Sequence, residues 1–169
     1  MEIEDIMSSL MATFLHSPGV VAQSQTNPPT PITEILHPPL MVSIKTEYIS
    51  KNYRHVVANP GDKVVVFAWT NNRTEATAYN SRNKTVGRIP ADILDKEGSK
   101  PVTNTEICMA TSDQKHVSLG RVKWKEGDYI RVWNKESRKH AMIHGIGFNL
   151  ATGEIGEFDT SSFSLRVIN

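Results

Sequence analysis

From residue 42 onward the chain runs in short stretches of β-branched and aromatic residues broken by Gly, Asn and Asp, at 63–70, 76–80, 85–90, 107–110, 121–124, 129–133, 142–148 and 154–158. Strands of this length at this spacing predict an antiparallel all-β architecture. Alternation after the turn glycines sends Val64, Val66, Ile130 and Val132 to one face. Before residue 42 the period changes. Ile3, Ile6, Met7, Leu10, Met11, Phe14 and Leu15 recur at helical spacing, which predicts an amphipathic helix over 1–16, with Glu2, Glu4 and Asp5 suited to its N-terminus and Ser17-Pro18-Gly19 to its stop. So short a helix is marginal alone in water, so its stripe needs covering by the body of the protein, a second copy or a partner's groove.

Residues 17–41 read as a proline-rich linker of polyproline II character, because prolines fix φ and lack the N–H that a sheet ladder needs. The linker holds a minimal PxxP, Pro28 to Pro31, and Thr30-Pro31, like Ser17-Pro18, has the minimal form of a proline-directed phosphorylation site. A polar break over 95–101 has no apolar pattern and reads as a domain boundary. The expected organisation is a helix at 1–16, the linker at 17–41, one domain at 42–95, a second linker at 96–105 and another domain at 106–169.

The two domains repeat one another. Pro60-Gly61-Asp62-Lys63-Val64-Val65-Val66 matches Glu126-Gly127-Asp128-Tyr129-Ile130-Arg131-Val132 at an offset of 66, and Val86-Gly87-Arg88-Ile89-Pro90 matches Ile155-Gly156-Glu157-Phe158-Asp159 at an offset of 69. This order of elements resembles the SH3 fold, with its "GD" turn into a strand, a central strand, and "GxIP" or "GxFP" before a last short strand. The stretch from Gly147 through Asn149, Thr152, Gly153 and Gly156 to Phe158 is similar to the "GxNxxTGxxGxF" signature of many SH3 domains, notably fungal ones. The resemblance implies two tandem SH3-like small β-barrels behind the helix and linker.

SH3 domains that take PxxP ligands have two opening-strand tyrosines, a Trp heading the central strand, and a Pro and a Tyr near the end. Here the Trp position falls near Glu75 in the first repeat and near Met142 or His144 in the second. The Pro survives as Pro90 but becomes Asp159, and the Tyr becomes Ile93 and a residue close to Ser162 or Phe163. Tyr48 is the remaining opening-strand aromatic, so the usual groove reads as dismantled in both copies. Trp124 falls in the inward phase with Val122 and reads as core. Trp69 and Trp133 fall out of phase with the inward set, at what read as equivalent places, and would cover the tail helix, join the barrels or bind a partner. The expected protein-binding residues are Tyr48, Trp69, Pro90, Ile93, Trp133, Phe148 and Phe163.

Charge and chemistry narrow the function. Residues 1–44 carry four acidic side chains and no basic one, while the remainder carries 19 basic and 14 acidic. That opposition would let the tail lie on the body. No nucleophile with a base, paired carboxylates or phosphate-cradling loop stands in supporting context, so no catalysis and no cofactor are expected. His140 and His144 have helical zinc spacing but flank a predicted strand start without an HExxH glutamate, and the single Cys108 reads as a buried hydrophobe, so no metal is expected. Arg121, Lys123 and Lys125 alternate along one strand, and Lys135, Arg138 and Lys139 cluster in the next loop, a candidate nucleic-acid surface. No apolar run is long enough to span a bilayer and the first basic residue is Lys45, so no membrane is expected and the expected location is the cytoplasm or nucleus. The leading expectation is a non-enzymatic protein–protein adaptor, with its own tail as a candidate ligand. Nucleic-acid binding and a structural subunit of a larger assembly are the alternatives.

Overall fold

Gly61-Asp62 and Gly127-Asp128 each turn the chain into a Val- or Ile-bearing strand, and the same set of bonds forms around both. In the computed structural model, which describes residues 31–49, 56–115, 117, 120–138 (backbone only for 134–138), 142–161 and 164–168, both glycines adopt positive φ, +88° and +90°. L-residues avoid that conformation. The N–H of Ile44 donates to Asp62 and that of Ala110 to Asp128, each at 2.8 Å, while Gly61 and Gly127 return the bond to Ile44 and Ala110.

A buried asparagine completes each turn. The Asn80 side chain donates to the Val57 carbonyl at 3.0 Å and to Asp62 Oδ2 at 2.9 Å. The Asn149 side chain does the same for Lys123 at 2.8 Å and Asp128 Oδ2 at 3.0 Å. Both asparagines are fully buried, so these bonds satisfy groups that would otherwise be costly to desolvate.

The described residues are nearly all β. The strands are β1 (Ile32–Ile44), β2 (Lys63–Thr70), β3 (Glu75–Asn80), β4 (Thr85–Pro90), β5 (Leu94–Pro101), β6 (Thr105–Ala110), β7 (Tyr129–Arg138), β8 (Met142–Asn149), β9 (Ile155–Ser161) and β10 (Leu165–Val167). They form two antiparallel five-stranded sheets, ordered β4-β3-β2-β1-β5 and β10-β6-β7-β8-β9. In each, the first strand lies between the second and the fifth, an arrangement compatible with small SH3-like barrels. The helix expected over 1–16 lies outside the described residues, as do residues 17–30 of the expected linker.

Three elements differ from the expected pattern. β1 begins ten residues before the expected start of the first domain. Its ladder with β2 steps from Ile35↔Ala68 to Leu40↔Val66, so His37-Pro38-Pro39, with a cis His37–Pro38 bond, bulges out where prolines have no N–H to give. The polar break after Leu94 is β5, an edge strand on β1, whose exposed charged residues suit an edge that must not pair further. The stretch 121–124 keeps its alternation, yet only Arg121 forms a bridge, parallel to Glu157.

Each sheet encloses its own core, one around Val42, Val64, Val66, Trp69 and Ile89, the other around Cys108, Val122, Ile130, Val132 and Phe158. A third cluster lies between the sheets and contains Ile32, Val65, Phe67 and Tyr79 from the first, and Ile107, Ile146, Phe148 and Leu150 from the second. The two halves are therefore joined by a shared apolar seam. Phe67 stacks on Phe148 with centroids 5.7 Å apart, and Tyr79 meets the edge of Trp133 at 5.8 Å.

Candidate functional site

Several residues expected at a partner surface are used inside the protein. Trp69 is 3% exposed and packs with Val64 and Val66, because a bulge between Val66 and Ala68 returns it to their side of β2. Lys96 Nζ lies 4.7 Å from the centre of its ring and Arg73 Cζ 5.8 Å, so cations cover the indole. Trp133 is not the counterpart of Trp69. By the repeat offset it matches Phe67, and it joins the seam, where its indole N–H donates to Asn104 at 3.2 Å. Phe148 is fully buried in the same seam. Phe163 and Lys139 lie outside the described residues.

The other expected residues gather at one end of the first barrel. Tyr48 pairs with Ala58 through two backbone bonds of 2.8 and 2.9 Å, and together with Ile93 it packs half-buried against the first core. Pro90 closes β4 opposite Glu75, and the Glu75 carboxylate stands 3.9 Å from Arg88. Burial pushes the Arg88 guanidinium below its ordinary range, an effect that Glu75 partly opposes.

The corresponding end of the second barrel holds a cavity of about 210 Å³. Its apolar wall is Trp124, Met142 and Phe158. The connection from β6 to β7 contributes Asp113, Gln114, Lys115 and Arg121, and the far side is Asp159, Thr160, Ser161 and Ser164. Met142 and Asp159 are the residues that stand near the Trp and Pro positions of the resemblance. The site is concave, with apolar and polar residues sharing its lining.

Gly156 sets the shape of this site. Val122 N–H donates to the Glu157 carbonyl at 2.9 Å and Glu157 N–H to the Gly120 carbonyl at 3.0 Å, which clamps the connection onto β9. A Cβ on Gly156 would sit 2.6 Å from the Val122 nitrogen and 2.8 Å from the Gly120 oxygen, inside any allowed contact.

Among the residues that line the cavity, Trp124 and Gln114 each carry a buried polar atom, Nε1 and Oε1, with no hydrogen-bond partner among the described residues. The Gln114 amide is otherwise anchored, donating from Nε2 to the Val122 carbonyl at 3.0 Å. The inward phase of Trp124 was legible in the sequence, but its place at a cavity was not, since nothing local distinguishes a core indole from one beside an open site.

Of the basic residues, Arg121, Lys123 and Lys125 are exposed and alternate with buried Val122 and Trp124. Lys135 and Arg138, expected in a loop, lie on β7, which continues to Arg138 opposite Met142. Among the described residues no group of His, Cys, Asp and Glu could hold a metal ion, and no helix is long and apolar enough to cross a membrane. No protein-family model matches the chain, and no curated protein matches it in sequence.

Proposed function

We propose that this chain is a non-enzymatic protein-interaction module of two SH3-like barrels, and that it holds a segment of a partner polypeptide at the cavity of the second barrel. The carrying observation is the cavity itself, an apolar wall of Trp124, Met142 and Phe158 ringed by charged and hydroxyl side chains, the usual make-up of a recognition site. Two of the three large hydrophobics exposed among the described residues fit the same reading. Ile49 is 71% and Val117 62% exposed, and each lies in the connection that precedes the "GD" turn of its own barrel, where a partner would cover it. Cys108 is buried and forms no disulfide, which suits a reducing compartment, the cytoplasm or nucleus.

The test is selection of peptides from a random library against the full chain, followed by amide NMR of the bound protein. Shifts centred on 113–121 and 158–161 support the proposal. Selected peptides that map elsewhere, or a library that yields none, overturn it. Residues 1–30 are a candidate internal competitor, and their removal, which must stop short of β1, is expected to raise the affinity of selected peptides. Unchanged affinity removes the tail from the mechanism.

A second reading rests on the exposed row of Arg121, Lys123 and Lys125, which would track a nucleic-acid backbone. It predicts oligonucleotide binding that falls steeply with salt.

A further inference from the structure

Trp124 and Gln114, which line the second barrel's cavity, hold a buried donor and a buried acceptor with no partner among the described residues. The Trp124 side chain is 8% exposed, and its indole nitrogen carries a hydrogen that nothing among the described residues accepts. An indole N–H can only donate. Gln114 spends its amide nitrogen on the Val122 carbonyl, which leaves Oε1 buried and able only to accept. Buried polar groups are almost always paired, and an orphaned one raises the free energy of the state that contains it. Trp124 and Gln114 line one cavity, so a single guest that reaches both atoms, accepting from the indole and donating to the amide oxygen, relieves both.

Few side-chain groups do both in one plane. A carboxylate accepts only, a guanidinium or ammonium donates only, and a proline ring offers neither. A primary amide has a carbonyl oxygen for the indole N–H and an NH₂ for the glutamine oxygen. The remaining lining fits such a guest. Thr160 and Ser161 are hydroxyl-bearing, and Phe158 and Met142 present apolar surface to the stem of a glutamine or asparagine.

We infer that the second barrel recognises an extended peptide segment through an Asn or Gln side chain, seated between Trp124 and Gln114. This inference rests on the reading of the cavity as a peptide site. The indole donor comes from Trp124, in the stretch before the Gly127-Asp128 turn, and not from the head of the central strand, where Met142 stands. Recognition by this route has no need of a proline. Discrimination comes from the unpaired groups, because a guest lacking the amide leaves both atoms unsatisfied in a desolvated site.

The experiment uses the full chain and the peptides selected from the random library. In each peptide that shifts the cavity resonances, every Asn and Gln is replaced in turn by Leu, and binding is measured to wild type, W124F and Q114M. The expected result is a loss of about tenfold or more for one replacement, largely absent when the same peptides are compared on W124F or on Q114M. The Trp124 indole proton resonance, identified by its disappearance in W124F, is expected to move downfield on binding of the amide peptide and not of its Leu counterpart. Q114M keeps the test open should W124F fold poorly, since Gln114 is only half-buried in a connection. Peptides that occupy the cavity yet tolerate every Asn and Gln replacement, or leave the indole resonance unmoved, overturn the inference and leave the peptide site standing. An absence of any cavity-binding peptide overturns both.

Discussion

Phe67 stacks on Phe148 across the seam, and exchanging the two halves by their repeat offsets turns that pair into Trp133 and Tyr79, which are also in contact. The same exchange relates Met41 to Ile107 and Val86 to Ile155, all of them seam residues. An interface in which residue i meets j and j meets i is the isologous kind found in two-fold dimers. The seam has the reciprocal geometry of a dimer contact, here between the two halves of a single chain.

Truncating the stack tests how far the halves depend on each other. Phe148→Ala is expected to cost about 3–5 kcal/mol, the range for a fully buried aromatic. Thermal unfolding of the wild type is expected as one transition in calorimetry, because neither half can separate without exposing Val65, Phe67 and Leu150. Two well-resolved transitions in the wild type would show that the seam does not couple the barrels.

Arg131 stands where the first barrel has Val65, and it is 3% exposed. Its guanidinium donates to Thr105 Oγ1 at 2.8 Å and also bonds His37, while its Nε has no partner and no carboxylate pairs with it among the described residues. Burial pushes it down to about 10. A basic group depressed in the folded state costs stability throughout the range below that value and relieves the cost as pH rises above it, where the unfolded chain binds more protons. Arg131→Met is therefore expected to be neutral or up to about 2 kcal/mol more stable at pH 7. Urea titrations should show that advantage shrinking above about pH 10. An Arg131→Met protein that is much less stable would mean that the Thr105 and His37 bonds outweigh the desolvation.

Asp62 gives an acid-side prediction. Burial pushes its carboxyl up, but bonds from the Asn59 amide, from Asn80 and from Arg82, with the charge of Arg82, outweigh this and hold it below its ordinary value. A carboxylate depressed in the folded state contributes stability above its unfolded value of about 4 and loses it as pH falls through the folded one. Asp62→Asn is expected to destabilise at neutral pH and to flatten the acid limb of a stability–pH curve. An unchanged acid limb would assign acid sensitivity to other groups.

Gly156→Ala should damage the site and the fold together. The added methyl meets backbone rather than flexible side chain, so the Gly120–Val122 segment must move, at a cost of about 2–3 kcal/mol. Peptide binding at the cavity is expected to weaken more than tenfold, since that segment carries Arg121 and leads into Trp124. Gly147→Ala is the comparison, because its Cβ would meet side chains and no backbone, Val122 at 3.0 Å, Ile130 at 3.1 Å and Phe158 at 3.4 Å. Equal peptide affinity in the two variants would separate the cavity from the β9 clamp.

Where local pattern and local chemistry agree, the sequence is a reliable guide. The strands at 63–70 and 85–90 fall where alternation and turn glycines put them, and the buried Asn–Asp turn recurs at both offsets, although only Asn149, and not its counterpart Asn80, stands in a signature. What failed to show depends on neighbours. An edge strand such as β5 needs no apolar pattern, a bulge at Phe67 reverses the phase of Trp69, and Phe148 belongs to the seam although it lies within a barrel signature. The cavity was half legible. Met142 and Asp159, which stand near the Trp and Pro positions of the resemblance, line it, whereas nothing local marks Trp124 or Gln114 as its neighbours.

The seam also makes the protein a ruler. The connections from β1 to β2 and from β6 to β7 belong to barrels that share apolar packing, so the distance between them is set by side chains such as Phe67 and Phe148 and not by the length of a tether. Were both connections to engage segments of one partner, an extension of the proposed function, the partner would be selected by the spacing between those segments, because the second engagement occurs at a high local concentration only when that spacing matches. Substitutions deep in the seam, far from either connection, would change which spacing is accepted.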